Sequence, residues 1–289
     1  MNSEKTGSDA AKALAPEDYA EPRCLLCGEA YGVTEEIRPV PQQRIREKLD
    51  EYMSRRDFDG AERHLLYWLE EAVLGADLRG QLMIRGELIG FYRKRGEKEK
   101  AMESIEDAVR LINELSFEGT LSAGTTYVNI ATACNAFGEN RRAMDYFEKA
   151  RGVYEANPAA GPELTGGLYN NMGICCCDLG EYENAEKFFQ LALERMRTVP
   201  GGETEQAITW LNMADLAAAK LGMEEAETQI DACLEKALEL LNTPGLTLDG
   251  YYAFVCEKCA SVFSYYGYFL DAEELNTRAE EIYRTISDN

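Results

Sequence analysis

Three asparagines recur at nearly equal intervals, because Asn129, Asn171 and Asn212 lie 42 and 41 residues apart. Asparagine is a mediocre helix former, since its side chain competes for local backbone hydrogen bonds. Its carboxamide can donate to one carbonyl and accept from one N–H, so it can hold an extended peptide whatever the peptide's sequence. The spacing predicts a row of three amides that bind a peptide backbone, assisted by Asn170. The alternative is that duplicated segments inherited the residue without using it.

Cysteine is the second residue type whose spacing could support chemistry. The chain has nine cysteines, with three in succession at Cys175–Cys177 and CxxC pairs at Cys24/Cys27 and Cys256/Cys259. A CxxC pair is half of a zinc site or a redox motif, and zinc needs four ligands. A second pair at ligand spacing is not evident, and the single histidine, His64, is expected to be a partly exposed helical residue. We predict no metal, with Cys24 and Cys27 as the weak candidates.

The asparagines and most of the cysteines lie in segments that repeat. Four segments superimpose in one register, and weaker copies surround Ala61 and Ala272, which makes six units. The four are "GFYRKRGEKEKAMESIEDAVRLI", "TACNAFGENRRAMDYFEKARGVY", "ICCCDLGEYENAEKFFQLALERM" and "LAAAKLGMEEAETQIDACLEKAL". Their shared alanines are Ala101, Ala143, Ala185 and Ala226, at steps of 42, 42 and 41 residues. Apolar residues spaced i, i+3, i+4, i+7 indicate helices that bury one face.

Each unit resembles a tetratricopeptide repeat, in which W-x2-L-G-x2-Y precedes A-x3-F and a further alanine. The matching residues of the fourth unit are Tyr169, Met172, Gly173, Cys176, Gly180, Ala185, Phe189 and Ala192. The resemblance implies an all-α fold, a right-handed superhelical solenoid of about six helix–turn–helix repeats. The longer period adds about one turn per helix, as in kinesin light chains and spindle-orientation adaptors.

The same register explains most of the cysteines as packing residues. Cys134 and Cys176 occupy a buried first-helix position, Cys233 an alanine site of a second helix, and Cys256 and Cys259 the packing stripe of the sixth unit. Free cysteine behaves as a small buried hydrophobe. We therefore expect these thiols to be reduced and to fill the core.

A second stripe on each first helix contains the three asparagines. In kinesin light chains, spindle adaptors and bacterial peptide-sensing regulators this stripe faces the concave groove, and its asparagine holds the ligand backbone. The resemblance implies the same role for Asn129, Asn171 and Asn212, and we expect their side chains to be free of strong internal partners. The other stripe residues expected to set specificity are Thr132, Ile174, Asp178, Ile208, Asp215 and Lys258. The acidic members suit a peptide with apolar anchors and some positive charge.

Composition limits the partners and the location. The net charge of −22 repels phosphate backbones and anionic membranes, so nucleic acid and membrane are excluded as partners. The sequence contains no apolar run of transmembrane length and no signal-peptide core, and we expect a cytoplasmic protein. Residues 1–41 are predicted to be a flexible segment with a CxxC. The repeat array spans 42–289, with units at 42–78, 82–118, 124–158, 166–200, 207–243 and 253–289.

These features favour a binding scaffold without catalysis or cofactor, which takes a peptide or partner-protein segment in its groove. The alternative is a peptide-responsive bacterial regulator, although we expect the roughly 41 residues before the repeats to be too few for a helix-turn-helix domain. A zinc-dependent protein that uses the N-terminal CxxC is the least favoured reading. The sequence contains no phosphate-cradling glycine loop, and no nucleophile with a base and an orienting group.

Overall fold

The computed structural model describes residues 37–287, which form twelve α-helices and no β-strand. Consecutive helices pair into six hairpins. Their bounds are α1 Gln42–Ser54, α2 Phe58–Leu74, α3 Leu78–Arg95, α4 Lys98–Glu114, α5 Leu121–Ala136, α6 Asn140–Ala156, α7 Pro162–Asp178, α8 Tyr182–Met196, α9 Glu203–Leu221, α10 Met223–Leu241, α11 Gly250–Tyr265 and α12 Phe269–Ser287. The prediction of an all-α array of six hairpins is confirmed.

The first helices of the second to sixth hairpins begin three or four residues before the predicted units. The sequence motif starts inside the first helix, so the extra turn of the longer period lies ahead of it. Residues 1–36, which include Cys24 and Cys27, lie outside the described residues. The predictions of a flexible N-terminal segment and of its CxxC pair therefore remain predictions.

Glycine ends the first helix of three successive hairpins. Gly96, Gly138 and Gly180 have φ angles of 72°, 77° and 74°, in the left-handed region that costs glycine nothing. The next residue's N–H then bonds back into the last turn, with Glu139 N to Cys134 O and Glu181 N to Cys176 O both at 2.8 Å. This C-terminal motif satisfies carbonyls that the helix end leaves open. It also reverses the chain so that the second helix packs on the first.

Small residues let the paired helices approach closely. Ala101, Ala143, Ala185 and Ala226 are fully buried, and a Cβ added to Gly173 would collide with the Phe189 ring. The buried residues form four clusters. One joins α1–α4, one runs across α3–α8 and one across α9–α12, and a small cluster of α7, α8 and α9 residues lies between the last two. The core therefore consists of clusters that follow one another along the stack, and the small cluster lies where the fourth hairpin packs on the fifth.

The first helices form one wall of the array. From the second hairpin onward, each first helix contacts its own partner and also the first helix of the next hairpin: α3 contacts α5, α5 contacts α7, α7 contacts α9 and α9 contacts α11. In the described part of the chain, contacts of that extent do not join successive second helices. The closer row of a curved stack lies on its inner side, so the exposed faces of the first helices line the concave wall.

Candidate functional site

Two of the three predicted amides have no hydrogen-bond partner among the residues that the structure describes. Asn129 lies on α5 and Asn171 on α7, and both are half-buried. Within residues 37–287, neither side-chain amide takes part in a hydrogen bond. Each can therefore still donate and accept toward a ligand, at the cost only of releasing water.

The third amide is already paired. Asn212 on α9 donates from Nδ2 to Oδ1 of Asn170 on α7, at 2.9 Å. The expectation that Asn212 is free of internal partners is wrong, because adjacent first helices lie close enough for these neighbouring stripe positions to meet. Nδ2 of Asn170 and Oδ1 of Asn212 take no part in this bond. The pair therefore presents one donor and one acceptor in a fixed orientation.

A small pocket of about 130 Å³ adjoins these amides. Its lining includes Asn170, Asn171, Ile208, Gly167 and Tyr251. A Cβ added to Gly167 would meet no heavy atom within 4 Å, so the wall is open there. Burial raises the pKa of Tyr251, and the charge and hydrogen bond of Glu205 add to the effect, so its hydroxyl stays protonated. Ile208 and the tyrosine ring give the pocket an apolar surface beside the amides.

Both predicted acidic specificity residues join neighbouring repeats. Asp178 accepts a hydrogen bond from Nδ2 of Asn135, and Asp215 accepts one from the Tyr266 hydroxyl, each at 2.7 Å. Burial raises the pKa of Asp215, and the hydroxyl of Tyr266 opposes that rise. These contacts leave each carboxylate less available to a ligand than the sequence predicted. Each keeps some acceptor capacity, since a carboxylate can accept about four hydrogen bonds.

The remaining stripe residues differ in how accessible they are. The Thr132 hydroxyl donates to its own helix at Asn129 O, at 3.0 Å. Ile174 is half-buried and packs on the small cluster at the junction of the two core regions. Lys258 is exposed, with its ammonium 5.8 Å from the ring centroid of Phe254. The contacts of Thr132, Ile174 and Lys258 are weak, so these side chains can change their rotamers when a ligand binds.

The sequence analysis missed a basic region at the other end of the wall. Two cavities of about 470 and 290 Å³ lie between α1, α3 and α5. Both are lined by Gly86, Glu87 and Asn129, and their cationic lining residues are Arg46, Arg79, Arg93 and Lys94. Two features of the sequence could have indicated this region. The basic run Arg93–Arg95 ends α3, and Glu87 replaces asparagine at the stripe position of the second unit.

Two groups in this basic region are poorly solvated. Nε of Arg93 is buried and has no hydrogen-bond partner within the described residues, and burial lowers the pKa of the guanidinium. Burial also raises the pKa of Glu87, with Arg46 opposing the rise, Asp50 adding to it and Lys94 opposing it. Arg79 stacks 5.1 Å from the Phe117 ring centroid. The region thus has cationic groups whose solvation an anionic ligand would improve.

The repeat cysteines are packing residues, as the sequence predicted. Cys134, Cys175, Cys176, Cys233, Cys256 and Cys259 are buried, and Cys177 is half-buried. Burial raises the pKa of the Cys175 thiol to about 12 and of the Cys176 thiol to about 11. These thiols stay protonated and unreactive at neutral pH, because the thiolate is the nucleophile. His64 is half-buried on α2, with Nε2 3.0 Å from Ile45 O.

Residues 37–287 contain no group of three or more histidine, cysteine or acidic side chains placed to hold a metal ion. None of the helices in this range combines the length and the apolar character that membrane crossing requires.

Six stacked hairpins with one inner wall of first helices define an α-helical repeat solenoid. Residues 164–243 match the family model of the tetratricopeptide repeat, as the motifs of the fourth and fifth units predicted. No curated protein matches the chain.

Solved structures of the same fold share little sequence with this chain. RapI, solved in its apo form, is 14% identical with a TM-score of 0.57, over 86% of this chain and 100% of that one. NprR in complex with its cognate peptide NprX is 15% identical with a TM-score of 0.53, over 86% and 69%. A chain of nearly identical TPR-like repeats from Podosopora anserina, named as a kinesin light chain, is 15% identical over 72% and 97%, and its TM-score of 0.48 supports no further comparison. At these identities the similarity shows the fold alone.

Proposed function

We propose that this protein is a non-catalytic scaffold whose concave wall binds an extended peptide or partner-protein segment. The observation that carries the proposal is the state of the amides. Asn129 and Asn171 are half-buried without partners in the described residues, and the Asn170–Asn212 pair is fixed beside them. The fixed pair can bond to backbone groups of a ligand with little further loss of side-chain entropy, and the two unpartnered amides keep their full donor and acceptor capacity. NprR, a protein of the same fold, was solved with a peptide, which supports the choice of ligand class.

The charges of the wall suggest how the ligand runs. The N-terminal cavities carry four cationic lining residues against Asp50 and Glu87, whereas the pocket at α7–α11 is mostly uncharged. We propose that the acidic part of the peptide lies over α1–α5 and that its apolar anchors lie beside Ile208 and Tyr251. This orientation replaces the positively charged partner predicted from sequence, since Asp178 and Asp215 already accept hydrogen bonds.

The proposal is tested with peptides selected from a random library displayed on phage, using the full chain as bait. Fluorescence anisotropy then gives the Kd of a selected peptide for wild type and variants. Replacing Asn171 by Ala should weaken binding roughly five- to tenfold, because one neutral hydrogen bond contributes about 1 kcal/mol. Replacing Asn129, Asn171 and Asn212 together by Ala should weaken it further. Binding of that triple variant with wild-type affinity would contradict the role of the amides.

One observation favours the regulator version of this function. Asn171 on α7 and Ile208 on α9 lie on either side of the junction between the fourth and fifth hairpins, where the cluster of α3–α8 ends and the cluster of α9–α12 begins. A peptide bound across this junction would favour one relative orientation of the two parts. Small-angle X-ray scattering with and without a selected peptide measures this change. A scattering curve that saturating peptide leaves unchanged points to a passive scaffold.

A further inference from the structure

The larger cavity between α1, α3 and α5 is lined by donors that the described chain leaves unused. Its volume is about 470 Å³, and its cationic lining residues are Arg46 and Arg79. Gln42, Ser122 and Asn129 line the same cavity and carry neutral donors. Within residues 37–287, none of these five side chains forms an ion pair or a hydrogen bond. The cavity can therefore offer all of them to a ligand.

Positive charge exceeds negative charge in this region, although the whole chain has a net charge of −22. Among the described lining residues of the larger cavity, Glu87 is the single acid. The adjoining cavity shares Glu87 and adds Arg93 and Lys94 against Asp50. Four cationic residues therefore face two acidic ones, which leaves an excess of two positive charges. Such a local reversal in an acidic protein attracts an anion of matching charge.

Cations on other faces of the neighbouring helices are neutralised by acids. Arg85 on α3 forms an ion pair with Asp107 on α4. Glu139 forms ion pairs with Lys98 at 2.9 Å and with Arg142 at 3.0 Å. The two arginines of the larger cavity have no such partner in the part of the chain that the structure describes. The cavity thus lacks the acids that neutralise its neighbours.

Arg79 is oriented by the cavity wall. Its guanidinium lies 5.1 Å from the ring centroid of Phe117, and a guanidinium stacked on a ring keeps its N–H donors free at its edge. In the adjoining cavity, Nε of Arg93 is buried and has no partner among the described residues. A ligand that accepts from these donors gains hydrogen bonds without first breaking internal ones.

We infer that the larger cavity binds a phosphate group carried on a side chain of the peptide. This inference rests on the proposed function and names the chemistry of the acidic part of the ligand. A phosphate group has a charge of about −1.5 to −2 and three acceptor oxygens, which match the excess charge and the unused donors. A carboxylate has one charge and two oxygens and leaves more of these donors unsatisfied. Arginine also binds phosphate through two parallel N–H···O bonds.

Three pools of short synthetic peptides test the inference. They carry phosphoserine, glutamate or serine at the central position and are otherwise degenerate. Fluorescence anisotropy with the full chain gives an apparent Kd for each pool. We expect the phosphoserine pool to bind about tenfold or more tighter than the glutamate pool, because hydrogen bonds between arginine and phosphate are charge-assisted and more numerous.

Two double variants with the same change in charge locate the effect. Arg46→Gln with Arg79→Gln should reduce the preference for phosphoserine over glutamate to within about twofold. Arg141→Gln with Lys187→Gln removes two exposed cations from the second helices α6 and α8 and should leave the preference intact. All four positions are exposed, so the thermal transitions should stay close to that of wild type.

The failure of the inference can be distinguished from the failure of the proposed function. Equal binding of the three pools would overturn the inference and leave peptide binding in place. Binding of no pool would overturn the proposed function, and the inference with it. A preference for phosphoserine that survives the double change of Arg46 and Arg79, or that the control variant loses to the same extent, would show that the phosphate does not bind in this cavity.

Discussion

Between α1 and α5 the inner wall carries four cationic residues around two open cavities: Arg46, Arg79, Arg93 and Lys94. Between α7 and α11 the same wall presents amides, Ile208 and the Tyr251 ring around a small pocket. The helical frame is the same in both regions. At the equivalent stripe position the second repeat has Glu87, the fourth has Asn171 and the sixth has Lys258. The repeat therefore fixes where side chains stand on the wall, while single residues at those positions set what each part of the wall can bind.

Phe189 packs α8 on α7 beneath the amide region, and its removal should have the largest effect. This ring is fully buried in the small cluster with Cys176, Ala185 and Leu216. Replacing Phe189 by Ala should lower the free energy of unfolding by about 3–5 kcal/mol, through lost burial and a cavity. Urea denaturation followed by circular dichroism measures it. Phe188→Ala removes a half-buried ring one residue away and should cost clearly less, so equal losses would contradict the assignment of Phe189 as the central packing residue of this cluster.

Leucine at two open glycines should distinguish the two regions by ligand. A Cβ at Gly90, which lines an N-terminal cavity, or at Gly167, which lines the C-terminal pocket, meets nothing within 4 Å. Leucine therefore fills the groove while helix propensity improves. We expect Gly90→Leu to weaken an acidic peptide about tenfold, or about 1.4 kcal/mol, and Gly167→Leu to weaken an apolar peptide similarly.

Gly152→Leu is the matched control for these variants. Gly152 is exposed on α6, a second helix, and its Cβ position is also open. Binding of both peptides should be unchanged in this variant. If Gly90→Leu and Gly167→Leu weaken both peptides equally, the wall does not divide into two ligand-selective regions.

The cross-repeat amide pair should be measurable as a coupling energy. In a double-mutant cycle on stability, Asn170→Ala and Asn212→Ala should couple by about 0.5–1.5 kcal/mol, because they share one hydrogen bond. The control cycle uses Asn129→Ala and Asn171→Ala, whose side chains have no bond in the described chain and should couple by less than about 0.5 kcal/mol. Thermal or urea unfolding provides the four free energies of each cycle. Coupling of similar size in the two cycles would count against the special geometry of the pair.

Glu87 gives the smallest effect and tests the electrostatics of the basic region. Because burial raises its pKa in the folded state, the folded protein binds this proton more tightly than the unfolded chain. Its contribution to stability therefore decreases as the pH rises from the unfolded pKa of about 4.3 through the folded one. Glu87→Gln should flatten the pH dependence of unfolding in that window, by less than about 1 kcal/mol, whereas Glu99→Gln on the exposed face of α4 should not. An unchanged profile would show that Glu87 is solvated.

The helices and their packing could be predicted to a large extent from the sequence. The period near 42 residues and the buried alanines are local features that recur, so an error in one unit is corrected by the others. From the second unit onward, the observed first helices begin three or four residues before the predicted starts, because the motif does not mark the first turn. The site was predicted less completely. The sequence predicted which residues lie on the stripe. It could not predict that Asn212 pairs with Asn170 or that Arg46 lies close to α3.

By itself, the sequence determined which residues form helices, which faces are buried and that the thiols of the repeats fill the core. These properties follow from hydrophobic periodicity and from side-chain size at fixed positions within one unit. The tertiary structure alone decided which groove side chains are free, because Asn170 meets Asn212, Asn135 meets Asp178 and Asp215 meets Tyr266 across separations of 42, 43 and 51 residues. Such contacts depend on the distance between neighbouring helices, and that distance is set by the packing of the whole stack.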